Sequence, residues 1–341
     1  MSIISGIALM ALGSAGASSF YVPQKKIKNW SWESFWAVQS IFAYLLIPFV
    51  GAWLIVPSGA FGQVMGYDTT ALLKAMGYGM LWGVGGLTFG LSMRYLGVAL
   101  GQSIALGTCA AFGTIIPPLL AGQDLFATSA GIFMVAGVSV CIAGIAMIGY
   151  AGSLKSKNMS EEDKRAAVKE FALKKGILVA LLAGVMSACF NLGLNAGDGI
   201  RVNAIALGTP ELFAKNVVIL LVTLGGFVTN FGYCIFLNIK NKTGREYFSL
   251  SSSELVNNFL FSALAGLLWY CQFLFMGMGE VQLDPGTRAF AWSILMAFNV
   301  LFSNVWGIVL NEWKNSGKQT MVVLVIGLLL LVASTIVGSM K

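Results

Sequence analysis

Ala151 to Lys175, AGSLKSKNMSEEDKRAAVKEFALKK, is the only long charged run in a chain of 341 residues. It lies near the midpoint. On either side the sequence is a series of apolar blocks of about twenty residues, the length an α-helix needs to cross ~30 Å of hydrocarbon. Read outward from this run, the chain divides into residues 1–150, a basic linker over 151–175 and residues 176–341.

Composition fixes the class. Hydrophobic residues make up 57% of the chain and charged residues only 10%, with a mean hydropathy of +0.81. A soluble domain carries about 25% charged residues. The expectation is an all-α integral membrane protein, because backbone groups in lipid must be hydrogen-bonded within the segment. The weak period-two alternation of a membrane barrel is absent.

Ten spans are predicted: Ile3 to Phe20, Trp36 to Val56, Leu72 to Met93, Gly97 to Leu120, Thr128 to Tyr150, Gly176 to Leu194, Phe213 to Leu237, Leu255 to Met278, Ala289 to Leu310 and Thr320 to Met340. The first contains SAGAS at Ser14 to Ser18, which resembles a signal-peptidase site, but it lacks a basic n-region and is read as a span. Five spans thus precede the charged run and five follow it.

The two sets are related. Gly6 to Tyr21 aligns without gaps on Gly176 to Asn191, sharing Gly6/Gly176, Ile7/Ile177, Leu12/Leu182 and Phe20/Phe190. Spans three and eight both carry Leu-Trp (Leu81-Trp82, Leu268-Trp269), and spans five and ten share the spacings Gly137-x6-Gly144 and Gly327-x6-Ser334. A repeat with an odd number of spans has its second copy inverted, an architecture of secondary transporters whose substrate sits where the copies meet. The sequence therefore predicts two inverted five-helix repeats. Sixteen of the 21 basic residues fall in loops after odd-numbered spans, which places the central run in the cytoplasm and both termini outside. The net charge of +7 is accounted for by this orientation, so no nucleic-acid partner is expected.

Several chemistries are set aside. There is no histidine, no GxxxxGK[ST], no HExxH, no GxSxG and no aspartate-rich cluster for magnesium and diphosphate. No enzyme activity and no cofactor are expected. Cys109, Cys141, Cys189, Cys234 and Cys271 all lie in apolar blocks without ligand spacing and read as packing residues.

The ninth span carries Trp292, Met296, Asn299, Ser303 and Trp306 on one helical face. Such a face suits a sugar, whose C–H patches stack on aromatic rings while its hydroxyls need amide partners. Alternatively, Trp292 and Trp306 are interfacial anchors and Asn299 alone faces the pathway. Trp269, Gln272 and Met276 share a face of the eighth span, and Ser187, Asn191 and Asn195 recur every four residues in the sixth. Gln102 opens the fourth span and Trp82 lies in the third. Each amide alone could equally bond a neighbouring helix.

An ionisable group at the bilayer centre costs about 2.5 to 3.5 kcal/mol even on the lenient scale, and none of the 14 carboxylates lies mid-span. Glu280 and Asp284 are the candidate proton-binding pair if the segment between spans eight and nine dips inward, with Arg288 beside Asp284. The other reading is a short solvated loop. In the central run, Ser160 to Arg165 reads as the start of a short solvated helix.

Specific strings carry a resemblance. Phe20-Tyr21-x-Pro23-x-Lys25-Lys26-x-Lys28-x-Trp30-Ser31-Trp32-Glu33 resembles the first-loop motif of the bacterial L-rhamnose/proton symporter family. So do Trp82-Gly83-x-Gly85, Gly90-Leu91-x-Met93-Arg94-Tyr95-Leu96-Gly97, Leu173-Lys174-Lys175-Gly176, Trp269-Tyr270-x-Gln272-Phe273 and Glu312-Trp313-x-Asn315-x-Gly317. The family is part of the drug/metabolite transporter superfamily, so the resemblance implies ten helices in two inverted repeats. It also implies proton-coupled uptake of L-rhamnose, or a related 6-deoxyhexose, across a bacterial inner membrane. Superfamily members are often drawn with both termini inside, against the charge count here. Gly279 to Phe290 departs from the family pattern, so no role is carried over to that segment.

Trp82, Gln102, Asn191, Trp269, Tyr270, Gln272, Trp292 and Asn299 are the candidate substrate-binding residues. Tyr21, Lys25 and Arg94 are candidates for a cytoplasmic gate or anchor. The expected partners are a sugar, protons and membrane lipid, with monomer and homodimer both open. Two other readings stand beside this one: a transporter or exporter of another small solute, such as another sugar or an amino acid, and a non-transporting membrane sensor or scaffold. The sensor reading lacks support from any soluble signalling domain.

Overall fold

The structure, a computed structural model, describes residues 3–158, 171–338 and 340, and contains no strand among them. Its long helices are α1 (Ile3–Ser18), α2 (Trp32–Ile55), α3 (Thr69–Leu96), α4 (Val98–Leu120), α5 (Ser129–Asn158), α6 (Leu173–Ala196), α7 (Glu211–Asn241), α8 (Ser252–Glu280), α9 (Ala291–Val309) and α10 (Lys318–Gly338). Among the described residues nine segments are long and apolar enough to cross a membrane. The tenth long helix, α3, falls outside that set because six glycines, three threonines, Lys74 and Arg94 dilute its apolar residues.

The linker is shorter than the charge pattern suggested. Helix α5 runs on to Asn158, since Ala151, Gly152, Leu154 and Lys155 are buried against their neighbours, and α6 begins at Leu173. The expected helix start at Ser160 to Arg165 lies outside the described residues.

Local signals set the helix ends. The Asp68 side chain accepts from the Ala71 N–H at 2.9 Å to open α3, and Ser251 with Glu254 forms a reciprocal capping box at α8. Gly97 separates α3 from α4 with φ +86°, a conformation that strains any residue with a Cβ. Helix α2 contains a π-helical stretch at Ile41–Leu46.

The packing has a simple order. Helix α1 lies against α8 and α9, and α6 lies against α3 and α4. Helix α3 packs on α7, as α8 packs on α2, while α2–α7, α4–α9 and α5–α10 pair directly. Exchanging each helix for the one five places away regenerates this set of pairs. The spacings matched in sequence between spans five and ten turn out to face each other: a Cβ on Gly137 would lie 2.8 Å from the Ser334 carbonyl oxygen, and one on Gly144 3.0 Å from that of Gly327. Small residues let these backbones touch, which is how helices associate where lipid is as apolar as their side chains.

The tightest approach is between α3 and α7, where a Cβ on Gly225 would lie 2.0 Å from the Met76 carbonyl oxygen. Gly225→Ala is therefore expected to separate the two helices and destabilise the fold by at least about 1–3 kcal/mol. Gly232→Ala on the same helix, where a Cβ meets nothing within 4 Å, should leave stability unchanged or slightly raised. Thermal unfolding of the two variants in detergent checks this, and equal melting temperatures would contradict the packing.

Candidate functional site

Helices α1, α2, α3, α4, α6, α8 and α9 enclose a cavity of about 70 Å³ where the two sets of five helices meet. Its aromatic wall is built from Tyr44, Trp82 and Trp269. The Tyr44 ring stands edge-on to Trp82 at 5.1 Å and to Trp269 at 4.7 Å, and the two indoles are 5.4 Å apart. Phe273 and Trp292 extend the wall, and Phe190, not itself a lining residue, stacks on Phe273 at 4.1 Å and lies parallel to Trp292 at 6.0 Å. Rings this close leave only a narrow space between them, so a hexose would enter by parting them.

Amides complete the lining. Gln272 donates from Nε2 to the Trp269 carbonyl at 3.1 Å and accepts at Oε1 from Asn299 Nδ2 at 2.9 Å. The buried Asn299 Oδ1 is left with no hydrogen-bond partner. The backbone around Asn299 is pinned by α1, whose Ser18 and Ser14 hydroxyls donate to the Asn299 and Leu295 carbonyls at 2.9 and 3.1 Å. Gln102 makes one weak contact, from Nε2 to the Met93 sulfur at 3.7 Å. No charged side chain lines this cavity among the described residues. It therefore offers donors, an unused acceptor and π-faces without a fixed charge, the chemistry that suits a neutral polyol.

Six of the eight residues expected to bind substrate line this cavity: Trp82, Gln102, Trp269, Gln272, Trp292 and Asn299. The alternative of Trp292 as an interfacial anchor is set aside by its burial and by its Nε1, which donates to the Cys109 carbonyl at 3.3 Å. Trp306 donates instead to Ser19 Oγ at 2.9 Å, beyond the cavity.

Two residues are placed elsewhere. Asn191 faces a second, larger cavity of about 1000 Å³ together with Asp68, Lys74, Tyr78 and Asn195, and donates to the Gly113 carbonyl at 2.9 Å. Its one-in-four spacing with Ser187 placed it on the right helix but one turn beyond the aromatic wall. The Tyr270 hydroxyl donates to Asn216 Oδ1 at 2.6 Å, tying α8 to α7 on the side away from the cavity. Adjacent residues on a helix point about 100° apart, so Trp269 and Tyr270 cannot both face inward.

The carboxylate pair also lies outside. Helices α8 and α9 are unbroken, so the segment between them sits at their ends and does not dip inward. Glu280 is ion-paired with Lys215, and Asp284 accepts from the Thr287 hydroxyl at 2.6 Å. The Arg288 guanidinium donates to the carbonyls of Glu280, Val281 and Leu283.

At the lysine-rich end, Tyr21 packs on Phe20 at 4.0 Å and on Trp36 at 6.3 Å, below the cavity floor, with its hydroxyl buried and unpartnered. Lys25 and Arg94 are exposed at the same end. Phe20, Trp36, Tyr44 and Phe273 are lining residues that sequence reasoning did not select. The Phe20/Phe190 match in the sequence was the signal for one of them, Phe20. Tyr44 lies in the π-helical stretch, whose extra residue shifts the face that ordinary helical spacing assigns.

Comparison with known proteins covers the whole chain. The family model for the L-rhamnose-proton symport protein matches residues 1–340. A protein of Yersinia pestis (strain Pestoides F) named L-rhamnose-proton symporter is 36% identical over 342 residues, 98% of this chain and 97% of its own length. One of the same name from Mannheimia succiniciproducens is 35% identical over 343 residues, covering 99% of this chain and 98% of its own length. The chain, a multi-pass helical membrane protein, belongs to the L-rhamnose-proton symport protein family.

Proposed function

We propose that this chain is a secondary active transporter that takes up L-rhamnose together with a proton across a bacterial inner membrane. The observation that carries the proposal is the likeness to the L-rhamnose-proton symporters over the full length of both chains. The uncharged cavity of rings and amides supports it, because a deoxyhexose presents an apolar methyl and C–H face on one side and hydroxyls on the other.

In this reading the two sets of five helices are inverted copies, and the pairing of each helix with the one five places from its neighbour's equivalent supports that relation. The lysine-rich end faces the cytoplasm, by the excess of basic residues in its loops. Alternating access follows from rocking one set on the other about the cavity. Trp82, Trp269 and Trp292 with Tyr44 stack on the sugar ring, while Gln102, Gln272 and Asn299 exchange hydrogen bonds with its hydroxyls. Asn191 and Tyr270 support neighbouring backbone and helix contacts. Tyr21 with its aromatic neighbours closes the cytoplasmic side, and Lys25 and Arg94 anchor that end.

Purified protein in liposomes should accumulate labelled L-rhamnose when the outside is made acidic, and a protonophore should abolish the accumulation. Uptake indifferent to the protonophore would remove proton coupling, and competition by other sugars or amino acids in place of rhamnose would change the substrate.

Asn299→Ala and Gln272→Ala each remove a partner for a buried hydroxyl, worth about 1–3 kcal/mol, so rhamnose affinity should fall by roughly 5- to 150-fold. Tyr270→Phe should leave affinity unchanged although it breaks the bond to Asn216. Calorimetric titration of the three variants checks the assignment, and equal losses in all three would contradict it.

A further inference from the structure

Three charged side chains are buried among the described residues: Glu33, Lys155 and Glu312. Glu33 is satisfied by neutral donors, the Asn241 amide at 2.9 Å and the Thr243 hydroxyl at 3.1 Å, and clips α2 to the end of α7. The other two occur together. Lys155 lies in the last turn of α5, 1% exposed, with its ammonium 4.9 Å from the centre of the Trp313 ring and no hydrogen-bond partner. Glu312 is the acidic group whose charge acts on it.

The turn after α9 is built to aim Glu312 inward. Asn311, Asn315 and Gly317 have φ of +59°, +59° and +90°, which folds residues 310–317 tightly. The Asn158 amide donates to the Ser316 carbonyl at 2.9 Å and fastens the turn to α5. Glu312 Oε2 then accepts from the Ala99 N–H at 3.0 Å, in the first turn of α4. The Glu312 carboxylate thus joins the α9–α10 turn to α4, and the Asn158 amide joins the same turn to α5, at the lysine-rich end.

A polar pair lies beside Ala99. Ser103 on α4 accepts at its hydroxyl from Asn304 Nδ2 on α9 at 2.7 Å and donates to the Ala99 carbonyl at 2.7 Å, while its neighbour Gln102 lines the cavity. Asn304 Oδ1 is buried without a partner, as Asn299 Oδ1 is one and a half turns earlier. Among the described residues, Lys25, Arg94, Lys157, Lys174, Lys175, Lys314 and Lys318 at this end are exposed.

We propose that Glu312, held opposite Lys155, takes up the coupling proton, and that its ionised form latches the lysine-rich end shut. The proposal rests on the reading of the chain as a proton-coupled rhamnose transporter. A proton adds to a carboxylate oxygen of Glu312 to give the neutral acid. Lys155 loses its counter-charge and the Ala99 N–H loses its anionic acceptor, so α4 and the α9–α10 turn can part. The acid then releases the same proton to the solution on that side, and the carboxylate is restored.

The test uses the full-length protein in liposomes, with Glu312→Gln, which keeps an oxygen for the Ala99 N–H but cannot ionise. Rhamnose counterflow without a gradient should persist and lose its pH dependence, while the inside-to-outside ratio under an inward proton gradient falls to one. Gradient-driven accumulation by Glu312→Gln equal to wild type would overturn the proposal, as would loss of counterflow with rhamnose binding retained. Should Glu312→Gln fail to bind rhamnose, Lys155→Met decides. Removing the neighbouring cation makes the carboxylate easier to protonate, so the pH midpoint of uptake should move upward, and an unmoved midpoint would overturn the assignment. Failure of the wild-type protein to accumulate rhamnose would overturn the symport reading, and this proposal with it.

Discussion

Inside hydrocarbon a polar atom must find its partner within the protein, because no water is there to supply one. Most side chains in this bundle obey by bonding back to their own helix, as Ser40 does to the Ala37 carbonyl, Ser103 to Ala99 and Thr108 to Ile104. Others bond across helices, as Asn230 does when it accepts from the Trp36 indole and donates to the Gly83 carbonyl. Against that background the unpartnered Oδ1 atoms of Asn299 and Asn304 stand out, each a penalty of about 1–3 kcal/mol unless something else fills it. One of them lies on the cavity and the other further along α9.

The cavity's position follows from how the helices interlock. The first helix of each set is wedged between two helices of the other, α1 against α8 and α9 and α6 against α3 and α4. Their shared centre is where the rings and amides collect. Backbones in contact through glycine, as at Gly79 with Val222 and Gly225 with Met76, favour movement of helix groups as rigid units over bending within them. A displacement of one group against another is then felt at the cavity, where Trp292 on α9 rests on Gly113 of α4, so close that a Cβ there would lie 2.4 Å from its Nε1.

Much of this was legible in the sequence. Length and apolarity of the blocks located the helices. The stripe Trp292, Met296, Asn299 and the pair Trp269, Gln272 reached the cavity because helical spacing assigns faces well within one unbroken helix. Spacing could not reach Tyr44 across the π-helical stretch, nor could it tell that Asn191 sits a turn too far out. Motif resemblance promoted Tyr270 by its neighbours, and its side chain points the other way. Burial of charge was the least legible feature. Lys155 stands in the segment read as the basic linker and Glu312 just past the ninth predicted span, and they are brought inside by the extension of α5 to Asn158 and by the turn at Asn311 to Gly317.

The account's central claim is that one uncharged aromatic and amide cavity holds the sugar. The most direct measurement is an experimentally determined structure of the protein bound to L-rhamnose in a lipid nanodisc. The account predicts density for the pyranose between Trp82 and Trp269, with hydroxyls on Gln272 and on Asn299 Oδ1. Density confined to the larger cavity beside Asn191 and Lys74, with the aromatic cavity still closed, would contradict it.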